Sequence, residues 1–330
     1  MASGRKRRHD LIRVNPAERT VALIGAGFSK GIGIPLQDEL LGSLVTEGGQ
    51  LLSKAIIGRD FDDHLGIEEF FTISDFHEFL ERTSSGGSDS RSLIGVIPFK
   101  LLEAVHKASD QLRESFLSTV SPLITAVPVW VTLNWDTLLE TLFASGGHRF
   151  SYFYTHGRTP RSVLKLHGSM DWFKPNARTQ QYFQAEGFRP LFGPYRRLRQ
   201  LTDLNSREPL PEELVSILES APPAMIAPTH FKQLPDRYLR RIWRDAWSAL
   251  SWANHLIVVG YSLPDSDVLV RLLLQLSISR RIKYPDRHGS PRVTIVDPDR
   301  SGIVETRYRA LFPTHNFIRS TVSDIECTVS

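Results

Sequence analysis

The chain has 330 residues, 41% apolar and 23% charged, and its 40 basic and 36 acidic side chains leave a net charge of +4. That length and composition suit one large α/β domain or two smaller ones and exclude a low-complexity or disordered chain. A single cysteine, Cys327, excludes an internal disulfide and any cysteine-based zinc cluster. Residues 1–19 read as a basic tail around Arg5-Lys6-Arg7-Arg8, which suits nucleic acid, an address signal or a solvated terminus. No apolar run reaches the roughly 18 residues of a bilayer span. The charged N-terminus lacks the apolar segment of a secretory signal, so a cytoplasmic protein without membrane contact is expected.

From residue 20 onward the chain reads as one domain, 20–330. Thr20–Ile24 is apolar throughout and bounded by glycine, which predicts a short strand buried on both faces. Helical spacing follows over Pro35–Leu52, Ile67–Leu80 and Leu93–Val120, with SSGGSDS as a connector. Strands are predicted over Pro128–Leu133 and Ser162–Leu166, with Asp136 opening the helix DTLLETLF between them. Residues 173–220, with Arg189, Arg196, Arg197, Arg199 and several prolines, read as an insertion or small helical subdomain. Beyond it come strands at Ala224–Ala227, His255–Val259 and Arg292–Val296, helices at Pro235–Ala253 and Pro264–Ser277, a final helix and a weak terminal strand. Short buried strands alternating with helices specify a Rossmann-like parallel sheet with helices on both faces.

Ligands of such sheets bind outside the carboxyl ends of the strands, near a topological switch point. Each unusual polar cluster lies just after a predicted strand: Gly25-Ala26-Gly27 with Ser29, Asn134 with Asp136, His167, Ser262 and Asp297. The turn in VALIGAGFSKGIGIP departs from the dehydrogenase fingerprint, because Lys30 stands where the third glycine belongs and Gly31 comes one residue late. Glu47, at the distance of the ribose-binding acid, lies in a helical stretch before Gly48-Gly49. No Gly-Lys-Ser/Thr follows as in a P-loop. A pyrophosphate at a helix start is the functional reading of the turn, and a tight turn without ligand is the alternative.

Asp136 fits an N-cap of its helix, whereas Asn134 sits inside the turn, where its amide must find partners. His167, beside Gly168, is either structural or catalytic, and Asp265 and Asp267 fit helix capping or the rim of a site. A base, an amide and a carboxylate sharing a rim with a phosphate-binding turn suit chemistry on a ribosyl phosphate compound.

These motifs resemble the sirtuin superfamily. Gly25-Ala26-Gly27-Phe28-Ser29 with Gly33-Ile34-Pro35, Thr132-Leu133-Asn134-Trp135-Asp136, His167-Gly168, Gly260-Tyr261-Ser262 and Asp297 follow the sirtuin motifs in order. HGSMDW, APTHFK (Ala227–Lys232) and GYSLPDSD resemble the bacterial sirtuin-like domains of anti-phage defence systems, typically NAD+ glycohydrolases. The zinc module of the deacylases needs four cysteines that this chain lacks, so the resemblance implies NAD+ as substrate and no metal.

The resemblance implies that Gly25, Ala26, Gly27 and Ser29 bind the pyrophosphate through backbone N–H groups and a hydroxyl. Asn134 would orient water or the nicotinamide ribose, Asp136 would hold the carboxamide or support developing positive charge, and His167 would act as general base. Ser262 in the Gly260 turn and Asp297 would hold the adenosine side. An NAD+ hydrolase must be restrained in its own cell, which implies a homo-oligomer or a partner such as a translocase-type ATPase or a short Argonaute. Tyr195, Arg196 and Arg197 are the expected interface. A non-catalytic sensor of ADP-ribose, and a nucleic-acid-binding subunit acting through Arg5–Arg8, remain the alternatives.

Overall fold

In the computed structural model, β1 (Leu11–Val14) leads to β2 (Thr20–Ile24) and a single helical turn, α1 (Ala26–Lys30). Then follow α2 (Glu114–Ala126), β3 (Val129–Thr132), α3 (Leu138–Ser145), β4 (Phe150–Ser151), β5 (Arg161–Lys165) and β6 (Gly168–Phe173). Strands β7 (Phe188–Phe192), β8 (Tyr195–Leu198) and β9 (Pro223–Met225) precede α4 (Arg237–Trp252) and β10 (His255–Val259). Helix α5 (Val268–Leu274) runs through a π-helical turn (Gln275–Ser279) into α6 (Arg280–Lys283). The chain ends with β11 (Arg292–Val296), α7 (Ile303–Leu311), β12 (Asn316–Ile318) and β13 (Glu326–Val329). The structure describes residues 11–36, 39, 114–156, 159–175, 188–193, 195–198, 223–226, 237–283, 285 and 289–329.

Seven strands form a parallel sheet in the order β12-β11-β10-β2-β3-β5-β4. Every residue of β2, β3 and β10 is buried, the both-face burial that a continuous apolar run specifies. The order runs outward from β2 through β3 and β5 on one side, and from β10 through β11 and β12 on the other. The switch point therefore lies between β2 and β10. The register aligns the strand ends: Lys165 pairs with Thr132, Thr132 with Ile24, Ile24 with Val259, and Val259 with Val296. Residues following these five strands thus leave the sheet at one level.

The bounds expected for Thr20–Ile24, His255–Val259 and Arg292–Val296 coincide with β2, β10 and β11, and the neighbouring strands differ by a residue or so at their ends. Most of the stretch expected as an insertion or small helical subdomain lies outside the described residues. The described part of that stretch is strand, with β7, β8, β6 and β9 forming an antiparallel sheet. Its register shifts between Pro190 and Phe192, where proline supplies no N–H, and this interrupts the alternation by which strands are read. Tyr195 is corrected: it is buried, with its ring 5.2 Å from that of Phe192, and is no exposed interface residue. The Arg5–Arg8 tetrad, the Ala227–Lys232 segment, the helix expected at Ile67–Leu80 and most of those at Pro35–Leu52 and Leu93–Val120 lie outside the described residues. No described helix is long and apolar enough to cross a membrane.

Cys327 on β13 lies beside Ile12, and burial pushes its thiol up to about 12. His255 at the start of β10 is buried, with Nε2 2.9 Å from Thr294 Oγ1 and Nδ1 3.0 Å from an Arg292 nitrogen. Burial first, and the Arg292 charge second, lower its pKa from 6.5 to about 3. A depressed histidine pKa means that the unfolded chain binds the proton first, so stability is full above about 6.5 and falls as pH drops towards 3. The denaturant midpoint is expected to fall across that window, and His255→Gln, which cannot protonate, to flatten the fall. An unchanged slope in the variant would show the proton to bind elsewhere.

Gly260 has φ +62°, and a Cβ there would lie 2.3 Å from Phe28 N. Gly260→Ala is expected to cost more than about 2 kcal/mol, from backbone strain plus overpacking. Gly147→Ala, at φ +68° in open space, is expected to cost only about 1–2 kcal/mol. Chemical denaturation of the two variants checks the difference.

Candidate functional site

A cavity of about 890 Å³ opens over the carboxyl ends of the central strands. Gly25, Ala26, Gly27 and Ser29 line it after β2, Asn134 and Asp136 after β3, and His167 after β5. Gly260 and Ser262 line it after β10, and Asp297 after β11. The residues expected to bind or act on the dinucleotide therefore line one space. His167 and Asp297 follow strands four spacings apart, so the row spans about 19 Å at 4.7–4.9 Å per strand.

The glycine turn owes its composition to the protein itself. Gly25 N–H donates to Val259 O at 3.1 Å, and Gly27 N–H donates to Gly260 O at 2.8 Å. A Cβ on Gly27 would lie 2.7 Å from the Gly260 Cα, so the two turns meet backbone to backbone. Phe28 is driven into the core beneath, edge-on to Phe116 and Trp130 at 5.9 and 6.1 Å. The N–H groups of Gly25 and Gly27, expected to meet a pyrophosphate, are thus hydrogen-bonded across the switch point in this structure.

Ser29 is likewise engaged within the protein. Its hydroxyl donates to Asp136 Oδ2 at 2.8 Å and accepts from Asn134 Nδ2 at 2.9 Å, so its one proton is committed. Asn134 Nδ2 also donates to Gly25 O at 3.0 Å. A carbonyl oxygen can only accept, which fixes the amide orientation and spends both Nδ2 protons. What Asn134 retains for a ligand is its acceptor, Oδ1.

Asp136 is buried, and its other oxygen, Oδ1, accepts from Leu138 N–H at 3.0 Å. The helix N-cap position belongs to Thr137, whose side chain makes no capping bond, so Asp136 caps from one residue further out. Its carbonyl accepts from Lys165 Nζ, which also pairs with Glu140 at 3.0 Å. Both members of that ion pair have side chains 1% exposed, and Tyr152 donates its hydroxyl to the same Glu140 oxygen. A buried pair of this kind fixes geometry more than it adds stability. Here it anchors the turn carrying Asn134 and Asp136.

His167 is 3% exposed, with its ring centroid 6.4 Å from that of Trp243. Its carbonyl accepts from Ile226 N–H, and Trp243 Nε1 donates to the neighbouring Leu166 O, so β9 and α4 both hold the turn. Gly168 follows at φ +74°, where a Cβ would meet Ala224 O at 1.9 Å.

At the opposite end, Asp297 Oδ1 accepts from Asp299 N–H at 2.9 Å, and burial holds its carboxyl above the usual range. Ser262 is exposed. Asp267 accepts from the Tyr261 hydroxyl at 2.7 Å and makes no side-chain cap, so the capping reading fails for it. Asp265 binds Arg271 and Arg307 instead of a helix N–H.

Sequence reasoning missed Lys30 and Arg307, the cationic lysine and arginine of the lining among the described residues. The signal for Arg307 was present. It stands three residues after Val304 and four before Leu311, both buried, and so lies within the apolar stripe of α7. No group of three or more His, Cys, Asp or Glu that could hold a metal occurs among the described residues.

No protein-family model matches the chain. No curated protein matches it either. Solved structures to which it is similar include a triple-mutant Sir2 homologue in complex with 2′-O-acetyl ADP-ribose, at 15% identity and TM-score 0.46, over 94% of this chain and 89% of that one. A Sir2 homolog–NAD complex is similar at 15% identity and TM-score 0.45, over 94% and 87%. A structure concerned with the mechanism and regulation of Sir2 enzymes is similar at 16% identity and TM-score 0.42, over 94% and 90%.

Ser29→Ala would leave Asp136 Oδ2 and one Asn134 proton without the partners they have here. A loss of about 1–3 kcal/mol is expected in chemical denaturation. No loss would show the Asn134–Ser29–Asp136 chain to be dispensable to the fold.

Proposed function

We propose that this chain is an NAD+ glycohydrolase, cleaving the nicotinamide–ribose bond. The observation that carries the reading is the single row of strand ends, which lays a base, an amide, a carboxylate and a second carboxylate along one cavity. A ligand touching both His167 and Asp297 must be long, as a dinucleotide is and a small metabolite is not. The sirtuin-like order of motifs in the sequence supplies the identity of that dinucleotide.

The reaction forms a bond from a water oxygen to C1′ of the nicotinamide ribose and breaks the C1′–N bond. Its electron pair returns to the pyridinium, and nicotinamide leaves neutral. The transition state resembles an oxocarbenium ion. His167 takes the water proton and passes it to solvent. Asn134 Oδ1, being an acceptor only, holds that water or a ribose hydroxyl. Asp136, with both oxygens bonded, acts as a fixed negative charge towards the cationic ring and not as a proton carrier. Asp297 accepts ribose hydroxyls at the adenosine end through its remaining lone pairs.

The biological role follows as part of the same proposal: an anti-phage effector that depletes NAD+ and is restrained by homo-oligomerisation or by a partner such as a translocase-type ATPase or a short Argonaute. One observation favours a second reading, a sensor that binds ADP-ribose without cleaving. Ser29 and Asp136 are satisfied by protein groups alone, as a binding scaffold requires.

The test is nicotinamide release from NAD+ by the full chain, beside Asn134→Ala and His167→Ala. Losses of at least about a hundredfold in both variants, with the fold intact by circular dichroism, are expected. Release undiminished in both would overturn the assigned roles. ADP-ribose binding with no release, in the presence of every co-encoded protein, would establish the sensor.

A further inference from the structure

The bonds made at the glycine turn leave a question of charge. If Gly25 N–H, Gly27 N–H and the Ser29 hydroxyl are all committed within the protein, a dianionic diphosphate needs another counter-charge. Lys30 does not supply it unopposed, because Glu39 receives its ammonium at 2.5 Å through both carboxylate oxygens. That contact, with the Leu36 N–H bond, holds the Glu39 carboxyl below its ordinary range. His167 stands on the far side, after β5, where the nicotinamide ribose would lie.

Arg307 remains. We propose that Arg307 is the diphosphate-binding side chain of this cavity, and that Asp265 holds its guanidinium in place until the anion takes it. The inference rests on the dinucleotide reading above. The backbone beneath Arg307 is fixed, since the adjacent Tyr308 is fully buried and donates its hydroxyl to Tyr261 O at 2.7 Å. The guanidinium itself is loosely engaged. Its Nη1 lies 3.4 Å from Ser262 O and its Nη2 3.5 Å from Asp265 Oδ2, both long for charge-assisted bonds. Asp265 is already closely bound to Arg271, at 2.5 Å, and keeps that partner if Arg307 leaves. A planar fork with five donors suits a phosphate better than a lysine ammonium does.

Binding of ADP-ribose and of adenosine to the full-length chain by calorimetry tests this. Arg307→Gln is expected to weaken ADP-ribose at least tenfold, to leave adenosine within about twofold, and Arg307→Lys to recover part of the loss. Asp265→Asn, which removes the competing carboxylate, is expected to tighten ADP-ribose severalfold, and the gain to vanish with Arg307→Gln added. It keeps the test open should Arg307→Gln fold poorly. Equal ADP-ribose affinity in wild type and Arg307→Gln would overturn the assignment while leaving the dinucleotide reading intact. Parallel loss of ADP-ribose and adenosine would overturn it too, by showing a structural role. Absence of ADP-ribose binding to the wild type would sink the dinucleotide reading, and the assignment with it.

Discussion

The contact of Gly27 with Gly260 across the switch point is the constraint on which the rest of the site depends. The turns after β2 and β10 belong to halves of the sheet that run outward in opposite directions, and nothing in the strand pairing below dictates how they meet above. They meet because neither carries a Cβ. The Gly27 N–H then reaches Gly260 O at 2.8 Å, and one step on, Phe28 is buried between Phe116 and Trp130. A side chain at either glycine would push the turns apart and lift Ser29 away from Asn134 and Asp136. A glycine pattern that suggests room for a phosphate is thus required first for the protein to close on itself.

From that interlock a chain of hydrogen bonds extends sideways along the sheet. Gly25 O accepts from Asn134, Asn134 donates to Ser29, Ser29 donates to Asp136, and the Asp136 carbonyl accepts from Lys165 within its buried pair with Glu140. Each link joins the ends of two different strands, so β2, β3 and β5 are tied above the sheet as well as within it. In such a chain donors and acceptors are matched, and the groups cost no reorganisation when a ligand arrives. The same matching limits what they can do: a committed hydroxyl proton cannot also bind phosphate, and a carboxylate with both oxygens bonded is a poor proton carrier.

Much of this was legible in the sequence where one residue type has one physical use. Runs such as TVALI and HLIVV are buried on both faces, so their extents and their places in a parallel sheet follow from composition alone. Because ligand sites in such sheets lie at the carboxyl ends, the same reading gathered Gly25, Asn134, His167, Ser262 and Asp297 at one edge. What it could not supply was the direction of each bond. Whether Gly27 N–H faces a phosphate or Gly260 O depends on a residue 233 positions away. The antiparallel strands β7 and β8 were illegible for another reason, since a proline and arginines interrupt their alternation and the pairing that makes them strands is non-local.

Under the glycohydrolase reading, the placing of Asp136 and Arg307 bears on which way the dinucleotide lies. Asp136, next to the His167 end, has its negative charge held by dipoles and, among the described residues, no cation on its side-chain oxygens. That is the setting in which a pyridinium gains most and a phosphate loses most. At the β10–β11 end the carboxylate of Asp265 is shared by two guanidinium groups, and Arg307 lies at the cavity wall. A diphosphate placed there meets Arg307, whereas one drawn towards Asp136 would face a carboxylate with no cation bonded to it among the described residues. The first arrangement satisfies both charges together: nicotinamide over β3 and β5, diphosphate crossing the switch point towards α7, and the adenosine ribose at Asp297. It also brings the bond to be broken beside His167, the group able to accept the proton of the attacking water.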